Sequence, residues 1–303
     1  MTQLAGTALA IPQRRPLTQA RLTRRIQSVA AYSVLVAGAV LVAVPFLWMV
    51  TTSLKSFNEL YRIPPALLPT IPQWQNYVGA MSDPQSPFTL YIANTLRVAA
   101  VVMVGTVASN TVVAFAFSRL RWWGRDVWFM VMLSTMMLPS QVTIIPVYIL
   151  FNRLGWIDTW GPLTVPAFFA SAWTVFLMRQ FMLTIPLEMD DAARIDGCNT
   201  FRLFLDVIVP LSKPVIAVIA IFTFQAVWND YFGPLIYLNT QAKWTVALAL
   251  SQFAPSGGVG IGWRTQEQFL MAAAVVISLP LILIFLTCQR MFIQGIVVSG
   301  VKG

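Results

Sequence analysis

Six stretches of this chain run for the thickness of a lipid bilayer with at most one charged residue each. A hydrocarbon core of about 30 Å takes about 20 apolar residues in a helix. No charge falls between Arg25 and Lys55, between Arg97 and Arg119, between Asp126 and Arg153, between Asp158 and Arg179, or between Glu267 and Arg290. From Pro214 to Lys243 the only charge is Asp230. These gaps predict an all-α integral membrane protein with six transmembrane helices, near 30–50, 98–118, 127–150, 162–183, 214–238 and 268–288.

Composition excludes the main alternatives. Of the 303 residues, 57% are hydrophobic and 10% charged, against roughly 45–50% and 25% in soluble globular chains. The chain cannot cover a water-soluble surface, and it is far too apolar to be disordered. Its net charge of +9 is explained by Lys and Arg flanking the spans, not by nucleic acid. With the N-terminus inside, fourteen basic residues fall on the cytoplasmic face and six outside, which satisfies the positive-inside rule. Both termini are then cytoplasmic, and residues 1–25 read as a flexible tail preceding a transmembrane domain over 26–303. The absence of histidine removes imidazole metal ligands and His-based triads. Cys198 and Cys288 read as unpaired thiols.

The loops differ in character. Residues 51–97 carry six prolines and read as irregular or partly helical; residues 239–267 carry four glycines that mark turns. The loop at 184–213 holds five of the 11 acidic residues. Within it, Pro186 suits a helix start, and Glu188, Asp190 and Asp191 suit the positive end of a helix dipole. Gly197 suits a left-handed stop, and Asn199 or Thr200 can cap a second helix, 201–208, that Pro210 breaks. Two short helices joined by a glycine turn are thereby expected. Ala192 and Ala193, with their small side chains, allow another protein close approach to the first.

This segment resembles the EAA loop of permease subunits in ATP-binding-cassette importers. That pattern, Glu-Ala-Ala, three residues, Gly, nine residues, Ile-x-Leu-Pro, is met by Asp191-Ala192-Ala193, Gly197 and Val207-Ile208-Val209-Pro210. Asp stands for Glu at 191, and Val replaces Ile at 207 and Leu at 209. Further stretches resemble the carbohydrate-uptake branch, the maltose-transporter-like second permease: Pro45 to Val50 with Ser53-Leu54-Lys55, Asn94-Thr95-Leu96, Met137-Leu138-Pro139, Trp228-Asn229-Asp230-Tyr231, and the ending from Gln289 to Gly303. The resemblance spans about 26–303.

It implies a multi-pass permease of a prokaryotic inner membrane that imports a sugar or sugar-like solute by alternating access. The loop 186–210 would dock on separate ATPase subunits, with Asp190, Asp191, Ala192, Ala193, Arg194, Asp196 and Gly197 as coupling residues. Expected partners are a second permease, two copies of an ATPase subunit, an extracytoplasmic solute-binding protein and membrane lipid, with no nucleic acid. No cofactor is expected on this chain; ATP and Mg belong to the ATPase subunits. The sequence has no G-x-x-x-x-G-K-[ST] phosphate loop, and no enzymatic activity of its own is expected. The alternatives are an importer of sn-glycerol 3-phosphate or another polar metabolite, and an ion-coupled secondary transporter.

Candidate solute-pathway residues are Ser140 and Gln141 beside Pro139, and Asn229 and Asp230. Each has a structural alternative. Ser140 and Gln141 can repair a proline kink. Asp230, about 24 Å from Pro214 along a helix, can be an acid satisfied near the outer interface. The tryptophans, most of them at span ends, read as interfacial belts.

Overall fold

The computed structural model describes residues 17–82, 87–253 and 267–300, without the side chains of 17–24, 140, 253 and 290–300. Most of the expected N-terminal tail, the glycine turns at 257–262 and the side chains of the C-terminal tail lie outside the described residues. The principal helices are α1 (Leu17–Ser53), α2 (Gln75–Ser82), α3 (Phe88–Arg119), α4 (Arg125–Ser134), α5 (Ser140–Arg153), α6 (Ala172–Leu183), α7 (Glu188–Ile195), α8 (Lys213–Trp228), α9 (Val246–Phe253) and α10 (Glu267–Gly300). No strand occurs among the described residues. Four helical stretches are long and apolar enough to cross a membrane, or six if each of two bent pairs counts as one span.

The central helix is α3, 32 residues or roughly 48 Å long. Both hydrophobic clusters are built on it. One joins Ala114 and Phe115 to Val175, Met178 and Met182 of α6, Ala193 of α7, and Val215 and Ile219 of α8. The other, at the opposite end, joins Phe88, Tyr91 and Ala99 to Phe224 and Trp228 of α8 and Ala272, Ala273 and Ile277 of α10. The Trp228 indole donates to the Ile277 carbonyl at 3.1 Å. By contrast, α1 packs along α10 and leaves Leu41 and Val42 three-quarters exposed.

Three expected spans are interrupted. The span at 127–150 is two helices at 98°, not one kinked helix. Pro139 drives Leu138 into extended backbone (φ −79°, ψ 119°), because the proline ring excludes the helical region for the preceding residue. The span at 162–183 breaks at Phe169–Ser171. There α3 replaces the lost hydrogen bonds: Asn110 Oδ1 accepts from Ser171 N (2.9 Å), and Ser109 Oγ donates to Ala167 O (3.2 Å). The span at 214–238 stops at Trp228, then resumes as a short turn over Phe232–Tyr237. The first helix also differs from expectation, running back to Leu17. The segment after Pro16 has no further helix breaker, and its Arg, Leu, Gln and Ala residues are good helix formers.

At the end of α3 opposite Arg119, polar side chains lock three chain segments together. Asn94 Nδ2 donates to the carbonyls of Ala242 (2.9 Å) and Trp244 (3.1 Å), and Thr95 Oγ1 accepts from Val246 N (2.8 Å). The Asp158 carboxylate accepts from Asn239 N, Thr240 N, Thr240 Oγ1 and, at 2.9 Å, Lys243 Nζ. These donors, the Thr240 hydroxyl foremost, hold the Asp158 carboxyl well below the usual carboxylate range. The unfolded chain therefore binds the proton more tightly, and the clamp stabilises the fold above the ordinary Asp value near ~3.9. That contribution fades as pH falls toward the depressed native value. Asp158→Asn should lower the thermal midpoint of the detergent-purified protein at pH 7. The gap to the parent should narrow below about pH 4, as followed by intrinsic fluorescence.

Candidate functional site

Among the described residues, the loop between α6 and α8 is an ordered segment at the Arg119 end. Its first helix, α7, has three acids in its first turn and Arg194 in its last, both favourable to the helix dipole. Asp190 and Ala193, three residues apart, share one face, and both are buried. Glu188, Asp191, Ala192, Arg194 and Ile195 are exposed. One face of α7 thus grips the transmembrane body while the other is presented outward.

The grip is ionic. Arg119, the last residue of α3, places Nη1 3.4 Å from Asp190 Oδ1, with both side chains almost wholly buried. Its Nη2 donates to the carbonyls of Met182 (2.7 Å) and Ile185 (2.8 Å), where the chain leaves the end of α6. One guanidinium therefore joins the end of α3, the end of α6 and the middle of α7. Burial pushes the Asp190 carboxyl up, against the pull of Arg119 and Arg194. Arg119 had signalled only topology in the sequence; its position at the end of an uncharged run, on the same face as an acid-rich loop, was the available clue.

Beyond α7 the chain reverses at Gly197, whose φ of +83° is strained for any residue with a Cβ. Asn199, not Thr200, caps the next helix: its Oδ1 accepts from Arg202 N at 2.9 Å. That helix is not broken by Pro210. It widens into a π turn over Leu203–Ile208 and ends at Leu211. The wider turn gives room to the proline ring, which would otherwise meet the carbonyl four residues earlier. The chain then bends by 73° into α8. Leu203 and Ile208 are buried in the cluster around Ala193, and the Phe204 and Phe115 rings lie 5.0 Å apart. Asp196 and Gly197 are exposed beside this turn.

The four pathway candidates fall in two separate places. The Ser140 side chain lies outside the described residues; Gln141 is exposed in the first turn of α5. At the far end of α8, Asn229 Nδ2 donates to Gln225 O (2.9 Å) and Asp230 Oδ1 accepts from Gly233 N (3.1 Å). A Cβ at Gly233 would come within 2.6 Å of Asp230 Oδ2, so this acid and glycine form one turn that starts Phe232–Tyr237. No hydrogen bond joins the two pairs among the described residues.

The described residues thus form a helical body with interrupted apolar stretches and a short helix held by Arg119 on one face and exposed on the other. Residues 102–298 match the binding-protein-dependent transport system inner membrane components, and the chain belongs to that family. Similar relatives include the sn-glycerol-3-phosphate transport system permease proteins of Yersinia enterocolitica (30% identical, covering 91% of this chain and 98% of that protein) and Brucella abortus (32%, 90% and 97%). A bacterial ABC transporter involved in the import of the acidic polysaccharide alginate shares the fold, with TM-score 0.79 at 22% identity, covering 88% of this chain and 97% of that one. The chain is a multi-pass inner-membrane permease subunit of an ABC importer. Membership in this family sets the ion-coupled alternative aside and implies, in general terms, a partner permease, an ATPase and a solute-binding protein.

The buried pair makes a graded prediction. Arg119→Ala leaves the buried Asp190 carboxylate without its counter-ion and the Ile185 carbonyl without its side-chain donor, a loss of about 3–5 kcal/mol for a broken buried pair. Asp190→Asn keeps the shape and leaves Arg119 its carbonyl acceptors, costing about 1–3 kcal/mol. Membrane yield and thermal midpoint should fall in that order; equal effects would contradict the geometry.

Proposed function

We propose that this permease moves a sugar or sugar-like solute inward by alternating access, driven by two ATPase subunits that dock on residues 186–210. A second permease completes the pathway, a binding protein delivers solute outside, ATP and Mg stay on the ATPase subunits, and both termini of this chain are cytoplasmic. The observation that carries this reading is α7: its outer face is exposed and its inner face is bonded to α3 and α6 through Arg119. A push on such a helix is passed to the body rather than absorbed in a loop.

Within that reading the coupling residues divide. Asp191, Ala192, Arg194 and Asp196 form the presented surface, with Asp191 offering a charge and Ala192 close approach. Asp190 and Ala193 anchor it from behind, and Gly197 sets the turn. The positive-inside count supports placing this face in the cytoplasm. A second cargo, sn-glycerol 3-phosphate, is favoured by the relatives that carry that name at 30–32% identity.

Purification of the chain in mild detergent from its native membrane, with mass spectrometry of what accompanies it, tests the assembly. A P-loop ATPase and a second permease should co-purify; a chain that comes alone and transports without ATP would contradict the proposal. Gly197→Val should leave membrane insertion intact. Forcing φ +83° on a β-branched residue costs at least about 1–2 kcal/mol, so solute-coupled ATP hydrolysis should fall on the order of tenfold. Unaltered coupling in that variant would count against α7.

A further inference from the structure

One face of this chain, running from mid-membrane toward the far end of α8, combines aromatic rings with side-chain amides. Trp173 of α6 and Phe222 of α8 bring their ring centroids within 6.0 Å. Trp173 lies ten residues from Leu183, and Phe222 nine from Lys213. At 1.5 Å per residue both rings sit about 14–15 Å from the Arg119 end, half of a ~30 Å core. They remain 47% and 36% exposed. Gln225 follows Phe222 by three residues on α8, and Asn229, the residue that caps α8, by seven, on the same face; both are exposed. The break at Phe169–Ser171 adjoins Trp173, with Phe169 and Ser171 exposed as well.

One constraint argues against lipid as the cover. The Gln225 side-chain amide is exposed roughly 18 Å along α8 from Lys213, and an amide left without a partner in hydrocarbon costs roughly 2–7 kcal/mol. The chemistry of the face narrows the occupant further. Aromatic rings offer flat apolar surface to the C–H faces of a sugar ring, while amides both donate to and accept from hydroxyls. None of Trp173, Phe222, Gln225 and Asn229 is charged. Asp230, next along, is an acid whose Oδ1 is engaged by Gly233 N. Among these residues a phosphate monoester would meet no cation and one carboxylate.

We infer that Trp173, Phe222, Gln225 and Asn229 form this chain's share of the solute site, and that it takes a neutral polyhydroxylated ring rather than a phosphorylated polyol. This deepens the importer reading and rests on it. Of the earlier pathway candidates it keeps Asn229, and it gives Asp230 a turn-forming role.

The test uses the assembled importer in proteoliposomes, with Cys198→Ser and Cys288→Ser as background and Gln225→Cys added. Labelling by a membrane-impermeant, charged methanethiosulfonate is followed with and without ATP. Millimolar trehalose, maltose or sn-glycerol 3-phosphate is then added with the binding protein. The inference expects labelling whose rate changes with ATP and is slowed severalfold by a disaccharide but not by sn-glycerol 3-phosphate. An inert thiol in an importer that still hydrolyses ATP would mean that lipid or the partner permease covers the face, and would overturn the site. Labelling slowed by sn-glycerol 3-phosphate, or by none of the three, would overturn the neutral-ring assignment. A chain that assembles with no ATPase would instead overturn the importer reading. Trp173→Ala, on the same background, should lower disaccharide uptake several-fold with complex yield unchanged; a loss of yield alone would assign the ring to the subunit interface.

Discussion

The arginine that ends α3 carries the mechanical argument. A buried guanidinium needs partners for its charge and its N–H groups. Here the Asp190 carboxylate is the counter-ion at 3.4 Å, the carbonyls of Met182 and Ile185 accept from Nη2, and Nε finds no acceptor. The requirement to satisfy one buried cation therefore fixes the relative positions of three helices. A buried pair of this kind is a poor source of net stability, because desolvation offsets most of the attraction. Its consequence is geometric: α7 cannot leave the membrane body without stranding a charge. Apolar packing around Ala193, Leu203 and Ile208 adds area to that attachment but no comparable directionality.

A second theme is how the membrane body accommodates broken helices. Each interruption frees backbone groups that hydrocarbon cannot satisfy, and at two of the three the repair comes from a short polar side chain nearby. Asn110 and Ser109 serve the break at 169–171, and Asp230 serves the turn after α8. Gly105 belongs to the same arrangement, since a Cβ there would lie 2.8 Å from the Phe168 ring. Breaks at these depths give a helical bundle the irregular surface on which a polar solute can be held. The opposite end, clamped by Asp158 and Asn94, and the α7 end, clamped by Arg119, flank this less regular middle.

Much of this was legible from charge spacing. Uncharged runs marked the four helical stretches long and apolar enough to cross a membrane and the two bent pairs, and the acids and Gly197 of the following loop marked a short helix with a glycine turn. What spacing could not give was continuity. Pro139 signalled a disturbance, but whether a proline kinks a helix or ends it depends on what packs beside the break. Pro210, a strong breaker by composition, is accommodated by a π turn. Asp190 and Asp191 are adjacent and chemically alike, and only the helical phase set by packing on α3 separates an anchor from a presented acid. Arg119 was visible as a charge but not as a bridge, because its partner lies 71 positions away in the chain. The pairing of Trp173 with Phe222 was hidden for the same reason, being a contact between helices rather than a pattern within one.

The central claim is that α7 and the end of α3 move as one body. Its most direct test is the distance between spin labels at Glu188 and Arg121, measured by pulsed electron paramagnetic resonance in the assembled importer. The distribution should be the same in the nucleotide-free and vanadate-trapped forms, while labels placed on α7 and on the partner permease change their separation. A Glu188–Arg121 distance that shifts between the two forms would show α7 moving independently of the membrane body, and would contradict the account.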